Sequence, residues 1–384
     1  MRKHVSIQLA GMAFMLSYGL YADRSSISWS TPLIPLSEDR FDVDNFNYTP
    51  SAVESYFMNN LVSLGFDTHG KENADTCHSV FLNESSPFYE YAKSYISELD
   101  EYNSIIRDFR PVLGMTDLRF EKQKTLRFNY GESNNRNLAS FVCDNIRPTS
   151  DQIRAIFSKS GFLSRSSSMG FMEPLLPVAR HPKICHNLRA NILNMGYLIH
   201  DFQHICMHSL TSHSKLVFVD MGASLDFHGR FSPNAYIYNI YKTFGFVFDH
   251  IYAYEVTPKE APKVYELVPE DLLSSWHWIN VGVDASPYSK NNPFNLLLSK
   301  FTRKDDFVVV KLDIDTPHIE LPLAHQLRDN AKLAELVDQF YFEYHVHQKE
   351  LVGSWGPNVR GNVKDAMELM GELRKKGVAA HFWV

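Results

Sequence analysis

"KLVFVDMGASLDFHG", Lys215 to Gly229, runs from aliphatic residues into an acid and a glycine, then collects a second acid and a histidine. Leu216, Val217, Phe218 and Val219 show no polar alternation, the pattern of a strand buried on both faces in a parallel sheet. Asp220-Met221-Gly222 interrupts the run, and Gly222 supplies a turn where backbone can approach another group closely. Alone, these residues describe an ordinary strand and its turn. The downstream sequence gives them weight.

After Lys215, short apolar strands alternate with helical segments. The strands are "HIYAYEV" (His250 to Val256), "WINVGVD" (Trp278 to Asp284), "FVVVKLDID" (Phe307 to Asp315) and "FYFEYHV" (Phe340 to Val346). "GVAAHFWV" at the end supplies a sixth strand and no seventh, and Leu321 to Asp338 is a helical candidate. Such alternation calls for an α/β fold with a doubly wound, mainly parallel sheet covered on both faces. Ligands of such sheets sit beyond the carboxyl ends of the strands. That rule singles out Asp220, Glu255, Asp284, Asp313 and Glu343.

An acid ending the second strand of a nucleotide-binding half accepts hydrogen bonds from ribose hydroxyls. The G-x-G-x-x-G pattern that cradles pyrophosphate is missing after Asp220. A cofactor with adenosine and no phosphate therefore fits better than a dinucleotide, and S-adenosylmethionine is the common one.

"VFVDMGAS" resembles the first motif of class I S-adenosylmethionine-dependent methyltransferases. "VVVKLDIDTPHIE", Val308 to Glu320, is similar to the Lys-x-Asp-x-Glu-Gly-x-Glu segment of FkbM-type members. The resemblance covers Lys215 to Val384 and implies a Rossmann-like methyltransferase domain there. It implies that Asp220 and Gly222 line the methionine end of the cofactor, that Glu255 binds the ribose, and that Asp284 approaches the adenine amine. It also implies that Lys311 and Asp313 stand near the transferred methyl group. Asp226 departs from this pattern where the family has a glycine, as does Asp315-Thr316 in place of Glu-Gly. Methyl transfer to a hydroxyl needs the proton to leave, which makes His318, His345 and His347 candidate bases. His345 completes a catalytic set with Asp313 and Lys311, unless it is only a hydrogen-bonded neighbour of Glu343.

The N-terminus points to an address. Arg2, Lys3 and His4 precede an apolar stretch from Val5 to Ala22, the layout of a secretory signal peptide with Leu20-Tyr21-Ala22 as cleavage site, or of an uncleaved anchor. The sequons Asn47-Tyr48-Thr49 and Asn83-Glu84-Ser85 agree with a secretory glycoprotein. Residues 23–214 form a mixed, mainly helical region, and 215–384 the methyltransferase-like domain. The net charge of −6, with no Lys/Arg tract, gives no electrostatic case for nucleic acid. The 4 cysteines (Cys77, Cys143, Cys185, Cys206) are even in number, allow disulfides in an oxidising compartment and lack zinc-type spacing. His200, His204 and His208 would share a helical face, but with 17 histidines in the chain chance spacing accounts for them, and no metal site is assigned.

Three functions stay open. The leading one is O-methylation of a sugar or small molecule in the secretory pathway, the acceptor and oligomeric state being unread. Asp313-Ile314-Asp315 is also an Asp-x-Asp, the acid pair with which metal-dependent glycosyltransferases hold a divalent ion and a sugar diphosphate. The third is a non-catalytic methyltransferase-like scaffold, in keeping with Asp226.

Overall fold

A computed structural model describes residues 58–60, 84–85, 215–227, 237–238, 241, 248–301, 306–346, 359 and 361–383. The expected leader at 1–22, the first sequon, Asn83, the four cysteines, the 200–208 histidines, His347 and nearly all of 23–214 lie outside them. Glu84 and Ser85 are exposed in a turn. Among the described residues no helix is long and apolar enough to cross a membrane.

The strands β1 (Leu216–Met221), β2 (His250–Tyr254), β3 (Trp276–Ile279), β4 (Phe307–Leu312), β5 (Gln339–Phe342) and β6 (Ala379–Phe382) make one sheet. Its order is β3-β2-β1-β4-β5-β6, and every pairing is parallel. The helices between them are α1 (Ala261–Leu267), α2 (Pro293–Lys300), α3 (Pro317–Asp329), α4 (Ala331–Ala334) and α5 (Val363–Lys375). This is the doubly wound order, in which the chain reverses direction across the sheet between β1 and β4.

The middle of the sheet follows from composition. Phe307 to Leu312 is buried along its whole length, and β1 is buried from Val217 onward, beside it in register Val219 to Val310. β-Branched and aromatic residues fill such two-sided surfaces well. Phe218 extends the core sideways by stacking on Phe248, with ring centroids 5.4 Å apart.

Helix ends are set by short side chains. Asn292 accepts from Phe294 N at 2.9 Å and Pro293 opens α2, while Asn362 accepts from Asp365 N at 2.8 Å to open α5. Gly377, at φ +88°, ends α5 and turns the chain into β6. Arg374, buried in the last turn of α5, donates from Nε and Nη2 to Ala380 O at 2.9 and 2.8 Å and fastens helix to strand.

The strands are shorter than their apolar runs predict. β3 starts two residues before Trp278 and stops at Ile279, because Asn280 turns aside. Its Nδ2 donates to Glu255 O at 2.6 Å and Thr257 O at 2.8 Å, and its Oδ1 accepts from Lys259 N. β4 stops at Leu312, three residues before Asp315, and β5 stops at Phe342. The helix expected over Leu321 to Asp338 starts earlier, at Pro317, and breaks at Asn330, whose side chain caps α4 by accepting from Leu333 N at 3.1 Å.

Candidate functional site at the carboxyl edge of the sheet

The carboxyl ends of β1, β4 and β5 gather acids around one lysine. Asp220 and Lys311 are paired neighbours on β1 and β4 and both are buried. Lys311 Nζ lies 3.2 Å from Asp220 Oδ1 and 3.0 Å from Asp313 Oδ2, and donates to Gly222 O at 3.3 Å. Tyr238 donates its hydroxyl to Asp220 Oδ2 at 3.4 Å. Trp383, just past β6, donates its indole N–H to Asp313 Oδ2 at 3.0 Å.

Burial alone would lower the Lys311 ammonium, but the charges of Asp220 and Asp313 outweigh it and hold the lysine well above its ordinary range. Burial raises Asp220 against the opposing pull of Lys311. Asp313 goes the other way: burial would raise it, but Lys311, a hydrogen bond from Glu343 and the Trp383 indole together lower it. The triad is a charged lysine serving two carboxylates, with Asp313 the more firmly ionised of the two.

Gly222 is required by this arrangement. Its φ is +88°, and a Cβ there would stand 1.6 Å from Asp313 O, so the β1 turn lies directly against the end of β4. The amides of Gly222 and Ala223 both donate to Tyr254 O, at 3.1 and 2.9 Å. The turn is thereby tied to β2 as well.

Glu343 and His345 lie two residues apart beyond β5, with His345 Nε2 3.1 Å from Glu343 Oε2. Asp315, the one described non-glycine residue with positive φ, at 53°, brings Oδ1 to 3.8 Å from the same nitrogen. Burial raises Glu343 to about 7. Burial would lower His345, but the Glu343 hydrogen bond and charge, with Glu320 and Asp315, raise it. Glu320, in the first turn of α3, accepts from Ile314 N at 2.8 Å and Thr316 N at 3.2 Å and clamps the loop that carries Asp315. Burial raises Glu320 to about 7 as well, although the Ile314 amide opposes it.

The adenosine-side candidates stand apart from this group. Glu255 follows β2 directly, half-buried, and its Oε1 accepts from Thr257 N at 2.6 Å. Asp284 is in the loop after β3, where its Oδ1 accepts from Ser286 N at 2.9 Å. That bond, with one from Ser289, lowers its pKa. Asp226 and His318 are exposed.

Asp220, Gly222, Lys311 and Asp313 thus form one network, and His345 belongs to an adjoining one with Glu343 and Asp315. Asp313 and Asp315 do not converge: the first is held by Lys311 and Trp383, the second reaches toward His345. Sequence reasoning missed Trp383, Asn280 and Glu320. Thr316 and Glu320 near Pro317 are a helix-start signal displaced by one residue from a capping box, so Glu320 was the one readable in principle. No protein-family model, no curated protein and no solved structure matches the chain.

Proposed function

We propose that the domain binds S-adenosylmethionine and transfers its methyl group to a hydroxyl. The observation that carries this reading is the use made of the β1 turn. Both of its first amides are spent on Tyr254 O, so they do not form the amide cradle that a pyrophosphate takes at this place in dinucleotide-binding folds. A carboxylate nevertheless stands at the end of β2, where a ribose is recognised. Adenosine without phosphate answers to both features.

The residues present fit that group. One Glu255 oxygen takes the Thr257 amide, and a carboxylate has about four lone-pair sites in all, enough for two ribose hydroxyls besides. Asp284 sits in the β3 loop with its carboxylate ionised by its own turn, suited to accept from an amine.

When bound, S-adenosylmethionine supplies the methyl group, its S–C bond breaking with the electron pair left on sulfur as the acceptor oxygen bonds to carbon. The chain's own part is to hold the acceptor and take its proton away. Asp313, fixed from two sides by Lys311 and Trp383, is placed to orient an acceptor hydroxyl at the β4 end. The grouping of Asp315, Glu343 and His345 beside it is where the hydroxyl proton is dealt with. The acceptor class, a sugar or small molecule handled in the secretory pathway, rests on the basic-then-apolar N-terminus and the sequons.

Calorimetry of the purified chain with S-adenosylmethionine tests the reading. Binding is expected, with Glu255→Ala weakening it ten- to a hundred-fold, the equivalent of about 1.5–3 kcal/mol for charge-assisted hydrogen bonds. No binding at millimolar cofactor would overturn the reading. Unchanged binding in Glu255→Ala would remove the ribose role from that residue.

A further inference from the structure

We propose that Asp315, Glu343 and His345 hold one divalent transition-metal ion, of the manganese or zinc class, at the junction of the β4 and β5 ends. One ligand atom from each of the three lies within 4.8 Å of the others. Donors around an ion with bonds of about 2.0–2.2 Å sit roughly 3–4 Å apart, so closing the set takes side-chain adjustment only. His345 Nε2 already stands 3.1 Å from Glu343 Oε2 and 3.8 Å from Asp315 Oδ1.

The grouping is more than a patch of acids. Its centre is a buried imidazole, and imidazole nitrogen with two carboxylates is a donor set for borderline ions rather than for calcium or magnesium. Burial also distinguishes its members. Glu343 and His345 are interior, whereas Asp315 is 77% exposed on its side chain, so the site opens to solvent on one side. Three protein donors and an open face leave coordination positions for water or an acceptor oxygen, the layout of a catalytic rather than a structural site.

The backbone holds the three donors in place. Tyr344 N donates to Phe342 O at 3.1 Å, a tight turn about Glu343 that leaves the Glu343 and His345 side chains in contact. A parallel bridge between Val346 and Gly361 anchors this stretch, and a Cβ on Gly361 would stand 2.4 Å from His345 O. The Asp315 loop is fixed through the two amide bonds of Glu320. Among the described residues the balance of charge around them is negative: Asp313 and Glu320 face the same space, and Lys311 is committed to Asp220 and Asp313. A dication would relieve that repulsion.

Such an ion would bind the acceptor oxygen and ease loss of its proton to water, a role that rests on the methyl-transfer reading. The site itself does not, and its test contains no cofactor. The full chain is stripped with EDTA, dialysed, and titrated with Mn²⁺ while free Mn²⁺ is followed by electron paramagnetic resonance; Zn²⁺ is then added as competitor. One equivalent of Mn²⁺ per chain, displaced by Zn²⁺, is expected. Asp315→Asn, an exposed change that leaves the core untouched, should weaken binding at least ten-fold, and so should His345→Gln if its circular dichroism matches the parent. Asp329→Asn, an exposed acid paired with Arg328 away from the site, should bind as the parent does. No binding of either ion at millimolar concentration overturns the site. Equal binding by parent and Asp315→Asn overturns it too, because the ion would then be elsewhere.

Discussion

Trp383 Nε1 donates to Asp313 Oδ2 at 3.0 Å, so the segment after β6 reaches across β5 to hold the acid at the end of β4. The same indole ring lies 5.8 Å from Lys311 Nζ. Trp383→Phe keeps a ring beside the ammonium and removes the donor. The expected loss is about 1.5–3 kcal/mol, as for a hydrogen bond to a charged group. Urea unfolding measures it, and a midpoint matching the parent would show that the bond does not form in solution.

Lys311→Met tests the triad from its centre. Methionine fills a similar volume and leaves Asp220 buried with no cation beside it. Breaking one side of a buried ion pair costs about 3–5 kcal/mol. Adding Asp220→Asn to Lys311→Met should recover part of that loss, because the orphaned charge goes too. A double variant less stable than Lys311→Met would count against charge as the cause.

Gly222→Ala places a methyl group where Asp313 O already is, in a backbone conformation that disfavours a side chain. Left-handed geometry and overpacking together predict a loss of roughly 2–5 kcal/mol. The β1 turn and the β4 end should separate, so the variant is expected to lose the Asp220–Lys311 coupling as well. A thermal melt read beside Lys311→Met and their combination measures this: the two losses should fall short of adding.

The strand alternation after Lys215 was legible because two-sided burial leaves an unbroken apolar run, and the sheet is there as six parallel strands. Strand ends were not legible. Asn280 ends β3 through its hydrogen bonds, and a positive φ at Asp315 bends the loop that follows β4; hydrophobic pattern encodes neither. An unbroken strand would carry Lys311, Asp313 and Asp315 on one face, since side chains alternate along it; β4 ends at Leu312 and the loop beyond it sends Asp315 to His345 instead. Trp383 lies 70 positions from Asp313 in the chain, and no local signal connects them. The acids beyond the strands were therefore visible one by one, and their partners only in three dimensions.

Stability should fall as pH rises from about 5 to about 8, because the large shifts of two buried carboxylates outweigh the opposite pull of His277 and His325, two partly exposed imidazoles that burial holds below 6.5. Glu320 and Glu343 move from an ordinary 4.5 to about 7 on folding, chiefly through burial. Between those values the folded chain holds protons that the unfolded chain has released, so each such proton lowers the unfolding free energy by at most about 1.4 kcal/mol per pH unit. His345, raised above 6.5, has the same sign at the upper end, its contribution being lost as pH rises through its folded value. Asp313, lowered below 3.8, acts in the opposite sense and only in acid, where its stabilisation is lost as pH falls. Melting temperature measured in EDTA across this range should decline, and Glu320→Gln should flatten the decline while lowering the plateau, since one amide acceptor turns into a donor. A profile rising toward pH 8 would contradict the burial of these acids.

The strand order also governs how the domain is assembled. β1 lies in the middle of the sheet, yet its Asp220 is joined to Lys311 over 91 positions of chain. A growing chain therefore makes the centre first and waits for β4 before that strand has neighbours on both sides. Closing so long a loop is entropically slow, and contacts this distant delay the folding transition. Until β4 arrives Asp220 stays hydrated, and its burial and the capture of Lys311 become one step. Refolding should accordingly be cooperative in β1, β4 and the charges between them, with protection of the β1 amides from hydrogen exchange appearing together with that of β4 and not before.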